Sequence, residues 1–183
     1  MLSSSRALFF VAASALLTGC ATRYIPNTDV EDNDDNRKVI TFCEKYRHAV
    51  ELKDVGELIK LASNDYYEDG GNVDASDDLD YAGLRDYLTT KFSDARAIRY
   101  EIRYRRVIRQ AVPQDEGDKA AQADSKADKG EPALELIFVD YTYSASYRIP
   151  AAKGGDEWRR RVEDNRLEIL RYPNDQYRIV AGM

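Results

Sequence analysis

Ile98-Arg99-Tyr100-Glu101-Ile102-Arg103-Tyr104-Arg105 alternates apolar or aromatic side chains with charged ones over eight residues. A period of two places one set on a buried sheet face and the other in water, so the stretch reads as a half-exposed strand. Upstream the period changes. Val39, Phe42, Cys43, Tyr46, Ala49 and Val50 recur at three and four, one face of a helix over about Asn36 to Leu52. Lys53-Asp54 breaks that helix, and Val55, Leu58, Ile59 and Ala62 define a second, short one. After Asp77-Asp78, read as an N-cap pair, Tyr81, Leu84, Leu88 and Phe92 define a third.

Downstream of the quoted strand the pattern is β-rich to the end. Leu134 to Ile149 reads as a long strand, with Leu136-Ile137-Phe138-Val139 apolar on both faces. Trp158 to about Asp164, Leu167 to Tyr172 and Tyr177 to Met183 follow as strands, with a turn at Pro173-Asn174-Asp175. Three helices followed by an antiparallel meander is an α+β layout. Between the first two long strands, about Val112 to Pro132 is rich in Ala, Lys, Asp and Gln without apolar periodicity, and reads as a disordered insert.

The chain opens with Arg6 and the uncharged run Ala7 to Leu17, the n-region and h-region of a secretory signal. The run is shorter than the roughly 20 apolar residues that span a bilayer. Leu17-Thr18-Gly19-Cys20 follows and resembles the bacterial lipobox. That resemblance implies cleavage of the Gly19–Cys20 bond and acylation of Cys20, and so attachment to a membrane through lipid. One acyl chain holds a protein only marginally, whereas two or three are durable. Ala21, where an aspartate would favour inner-membrane retention, points to the outer membrane with the domain facing the periplasm.

Residues 1–19 are thus read as signal peptide, 20–35 as a lipidated flexible acidic tether, and 36–183 as a single domain. The acidic run Asp29 to Asp35 cannot bury enough apolar surface to order itself. Extended at about 3.3 Å per residue, the tether would reach roughly 50 Å. Cleavage leaves 26 basic residues against 33 acidic ones, which argues against non-specific nucleic-acid binding. With Cys20 acylated, Cys43 is the remaining thiol, so the fold is held by its core without an intramolecular disulfide. Cys43 lies on an apolar helix face, where an inert buried thiol is expected.

Across about Arg37 to Met183 the element order and several phrases resemble the nuclear transport factor 2-like superfamily, which includes ketosteroid isomerases and polyketide cyclases. The phrases are Phe42-Cys43-Glu44-Lys45-Tyr46, Leu52-Lys53-Asp54, Asp65-Tyr66-Tyr67-Glu68-Asp69 and Tyr177-Arg178-Ile179-Val180. The resemblance implies a curved sheet wrapped on a long helix into a cone whose open end often holds a ligand, and a homodimer through the sheet. It places Tyr46 at the isomerase oxyanion tyrosine and, with a one-residue adjustment, Asp69 at the carboxylate base. That chemistry needs a base near an acidic carbon and donors aimed at the developing enolate oxygen. Gly70 stands where the isomerases carry proline, and a second oxyanion acid has no fixed register between Asp164 and Glu168. Core packing for Tyr46 and a turn role for Asp69 are the alternative.

His48, the single histidine, lies about 200° around the helix from Tyr46 and is read as exposed. With one histidine and one free thiol, zinc is not expected, and Asp74, Asp77, Asp78 and Asp80 lack the spacing of a calcium loop. No cofactor is expected. Thirteen tyrosines, including Tyr100, Tyr104, Tyr141, Tyr143, Tyr147, Tyr172 and Tyr177 at strand positions, suit either strand packing or an amphipathic pocket. Arginines at 99, 103, 105, 106, 148, 159, 160, 161 and 166 interleave with Glu101, Glu135, Glu157 and Glu163, as ion pairing on a solvated face requires. Two functions stay open: binding of an envelope protein partner or small amphipathic ligand without catalysis, or an isomerase or cyclase using Asp69 and Tyr46.

Overall fold

The computed structural model describes residues 22–69, 78–112 and 135–183. The signal segment, Gly19, Cys20 and the insert beyond Val112 lie outside the described residues. The element order is α1 (Asp34–Leu52), α2 (Val55–Leu61), β1 (Tyr67–Glu68), β2 (Leu79–Asp80), α3 (Tyr81–Ser93), β3 (Ala97–Ala111), β4 (Glu135–Pro150), β5 (Asp156–Tyr172) and β6 (Gln176–Ala181). Strands β3 to β6 form one antiparallel meander in chain order, and β1 pairs with β2 in a separate two-stranded sheet.

The break between the first two helices is built by both of its residues. Lys53 takes a left-handed conformation at φ 55°, and its N–H closes the last turn of α1 on the Ala49 and Val50 carbonyls. Asp54 then caps α2 by accepting from the Glu57 N–H at 2.9 Å. α3 is capped by Asp80, which accepts from Gly83 N–H at 2.8 Å, rather than by Asp77-Asp78. Asp78 instead accepts a hydrogen bond from the Tyr67 hydroxyl.

The core lies between α1 and the sheet face it covers. Val39, Phe42, Cys43, Tyr46 and Ala49 from α1 meet Ile137, Val139, Leu167, Ile169 and Ile179. Burying an aliphatic side chain of this size is worth about 1.5–3 kcal/mol. Leu58, Ile59 and Leu61 extend the core from α2, which reaches β6 through a parallel bridge between Ala62 and Ile179. Trp158 to Asp164 and Leu167 to Tyr172, read as two strands, are one continuous β5 paired with β4 along its whole length.

The tether reading needs correction. Residues 22–33 fold back on β3: Tyr24 bridges Glu31, Asp32 N–H reaches the Arg23 carbonyl at 2.7 Å, and Asp29 N–H reaches the Tyr104 carbonyl at 2.9 Å. Val30 is buried in the core. Asp29 binds Arg103 at 2.6 Å and Arg105 at 2.9 Å, so charges that looked solvated are paired with strand arginines. The first helix accordingly starts at Asp34, with Asn33 as its cap.

Candidate functional site

The α1 stripe and the alternation of β3 and β4 carry tyrosines into one interior cluster. Tyr46 meets Tyr100 edge to face at 6.3 Å between ring centroids, Tyr100 meets Tyr143 at 5.4 Å, and Tyr141 meets Tyr143 at 6.3 Å and Tyr104 at 6.5 Å. Tyr46 is 4 % exposed and Tyr141 is 1 %. The Asn165 amide donates to the Tyr141 hydroxyl at 3.0 Å, and Tyr104 donates to Glu44 at 2.8 Å. The Tyr46 phenol is buried beside those of Tyr100 and Tyr141. Burial, as the largest cause, pushes the phenols of Tyr46, Tyr100, Tyr104 and Tyr141 well above the ordinary range. They stay neutral at physiological pH, so each acts as a packed ring.

Asp69, unlike the buried members of this cluster, is exposed. Residues 66–69 alternate as a strand does: Tyr66 buried, Tyr67 exposed, Glu68 half-buried, Asp69 exposed. The inward carboxylate is Glu68, which accepts from the Tyr66 hydroxyl at 2.6 Å. The Tyr66 oxygen in turn accepts from the Met183 N–H at 3.3 Å. Glu68 escaped the sequence reading although the alternation from Tyr66 to Asp69 marks it. A base must lie within hydrogen-bond reach of the proton it takes, and here Asp69 is exposed whereas Tyr46 is buried.

His48 is exposed and Cys43 is fully buried, with burial pushing its thiol up, so the thiolate that would react is disfavoured. Among the described residues, no group of three or more His, Cys, Asp and Glu side chains could hold a metal ion.

The sheet face turned away from α1 carries a different arrangement. A bulge between Tyr104 and Arg106 inserts Arg105 as an unpaired residue, which brings Arg103, Arg105 and Arg106 toward one face. Asp140 lies opposite both Arg106 and Arg166 and binds each, at 2.7 and 2.6 Å. Hydrogen bonds from Arg166 and Arg106 hold its carboxyl below the usual range against the opposing effect of burial. Arg105 donates to Thr142 at 3.0 Å, and Thr142 donates to Asp164 at 2.6 Å. Arg105, Asp140, Tyr141, Thr142, Asp164, Asn165 and Arg166 line an open concavity of about 660 Å³. Of the glutamates expected to pair with strand arginines, Glu135 lies between Arg171 (3.1 Å) and Arg109 (3.8 Å), Glu157 and Glu163 bind Arg159 and Arg161 along their own strand, and Asp29 and Asp140 are further hubs.

No protein-family model matches the chain, and no curated protein matches it. Solved structures do. A conserved protein from Planctomyces limnophilus aligns with TM-score 0.53 at 10% identity, over 81% of this chain and 98% of that one. A candidate scytalone dehydratase from Novosphingobium aromaticivorans aligns with TM-score 0.51 at 10% identity, over 81% and 80%. The beta subunit of the benzoate 1,2-dioxygenase from Burkholderia mallei aligns with TM-score 0.50 at 14% identity, over 82% and 89%. At such identities the likeness concerns fold. Helices followed by an antiparallel meander, shared over four fifths of the chain with these structures, give this protein the α+β fold of nuclear transport factor 2-like proteins.

Proposed function

We propose that this protein is a lipid-anchored component of the cell envelope, acylated on Cys20 at the periplasmic side of the outer membrane, whose domain binds a partner protein and catalyses no reaction. The observation that carries the reading is the burial of Tyr46. This residue, which the resemblance sets at the isomerase position, is packed among tyrosines in the core, and the carboxylate expected beside it is exposed. The contrast between an exposed Asp69 and a buried Tyr46 argues against an isomerase built on the pair.

Of the two ligand classes open from the sequence, a protein suits the outer face better than a small amphipathic molecule. The concavity there is walled by guanidinium and carboxylate groups, and Trp158 is exposed under the Arg99 guanidinium, 4.7 Å from its ring centroid. Arginine and tryptophan on a polar surface are the side chains that most often anchor protein interfaces.

The test uses the full-length chain in intact cells with a photo-crosslinking residue in place of Thr142, and a control at the exposed Lys60 on α2. The expected result is a covalent adduct with one defined envelope protein from position 142 and none from position 60. Equal adducts from both positions, or none from 142, would refute the outer-face reading.

A further inference from the structure

Strand β5 is longer than the neighbour on its outer side can cover. β4 pairs with β5 from Asp156 to Arg171, whereas β6 pairs with Glu168 to Tyr172 alone. Among the described residues no strand takes the opposite edge of β5 from Asp156 onward. The Gly182 carbonyl accepts from the Asn165 side chain at 3.2 Å, so the open edge ends at Asp164. An open edge is a row of unpaired N–H and C=O groups, a template for another strand.

The side chains on that edge are ordered in a particular way. Arg160-Arg161-Val162-Glu163-Asp164 is positive, positive, neutral, negative, negative, and all five residues are exposed, Val162 at 54 %. The charges are antisymmetric about Val162. An antiparallel copy of the strand, related by a two-fold through Val162 and perpendicular to the sheet, sets Arg161 opposite the partner's Glu163 and Arg160 opposite the partner's Asp164. Positions facing each other in this register differ by an even number of residues, so each pair shares a sheet face. Moving the axis to Arg161 or to Glu163 places like charges directly opposite, which destabilises a pair.

We infer that β5 is the interface for a second copy of this chain, joined edge to edge through Arg160–Asp164 with Val162 on the two-fold axis. The result is one continuous eight-stranded sheet with the α1 helices of both subunits on the same side. Within a subunit Arg161 already contacts Glu163 at 2.5 Å, so two such pairs meeting across the axis make a square of alternating charge. On the other face Arg160 uses Nε on Ser144, and Asp164 uses Oδ1 on Thr142. The remaining guanidinium nitrogens and the second carboxylate oxygen are left for the partner. This interface differs from packing of two sheets face to face, and it meets the concavity around Arg105 and Asp140 at its Asp164 rim.

The test is disulfide trapping of the full-length chain in its own membrane. A two-fold through residue 162 brings the two Cα atoms about 4.5–5.5 Å apart, within disulfide range. Val162→Cys is therefore expected to yield a covalent dimer on mild oxidation. The unaltered chain is the background, because its Cys43 is fully buried. Adding Arg160→Asp and Arg161→Glu, which makes the edge uniformly acidic, is expected to cut the trapped fraction at least tenfold. Further addition of Glu163→Arg and Asp164→Arg restores the antisymmetry with inverted signs and is expected to restore trapping. No dimer from Val162→Cys, trapping insensitive to the charge reversal, or failure of the four-residue swap to restore it would each overturn the proposal. Trapping from Ser144→Cys in place of Val162→Cys would also overturn it, and would point to face-to-face packing.

Discussion

Gly182 sits at φ +91°, and a Cβ built on it would stand 1.9 Å from the Arg166 carbonyl oxygen. Backbone strain and a clash with backbone coincide there, so Gly182→Ala should destabilise the domain by at least about 1–3 kcal/mol, read by denaturant melting. The interior hydroxyls make a second case. Tyr46→Phe keeps the ring but removes a buried hydroxyl beside Tyr100 and Tyr141, and should cost about 0.5–1.5 kcal/mol while leaving the fold intact by circular dichroism. Because the folded phenols have raised pKa values, their neutral form adds stability below pH about 10 that is lost as pH rises further. Tyrosine absorbance near 295 nm should therefore show the buried rings ionising together with unfolding. Tyr46 was legible as an inward residue because its helical stripe runs through Val39, Cys43 and Ala49. The half-buried carboxylate of Glu68 was hard to see because only the four residues from Tyr66 to Asp69 carry the alternation that marks it.

At the scale of elements, the segment before α1 and the outer strands decide most of what differs from a generic α+β layout. Hydrogen bonds from Arg103 and Arg105 lower the Asp29 carboxyl to about 2, against an ordinary value near 4. A depressed carboxylate contributes stability that is complete above the unfolded value and lost as pH falls through the folded one. Residues 22–32 should thus detach from β3 between pH about 4 and about 2, and Asp29→Asn should speed their amide exchange already at neutral pH. Hydrogen exchange followed by mass spectrometry reads both. In the core, Ile179 joins β6 to α2 and is fully buried, so Ile179→Ala should cost about 2–5 kcal/mol. The helices and long strands were legible because their periods run over eight or more residues. The docking of residues 22–33 was not, because Asp29 finds its partners 74 and 76 positions away, where no local pattern registers them. The far half of β3 was hidden for another reason: the extra Arg105 shifts the alternation by one, so Val107 and Arg109 continue the face begun by Tyr104.

For the whole molecule, the ordered N-terminal segment changes what an anchor at Cys20 means. Thr22 is the first described residue and Arg23 already hydrogen-bonds to Asp32, so the folded domain starts about 10 Å of extended chain from an acylated Cys20 rather than roughly 50 Å away. The domain would work close against the membrane surface. Metabolic labelling with a fatty-acid analogue should mark the full-length chain and leave Cys20→Ala unmarked; equal labelling would refute the anchor. The central claim is that the interior is core and that function lies on the outer sheet face. Crosslinking from position 142 measured in two variants tests it most directly. Tyr46→Phe should keep the partner adduct at its original yield, and Arg105→Ala combined with Arg166→Ala should abolish it. Loss of the adduct in Tyr46→Phe, with the outer-face variant unaffected, would contradict the account.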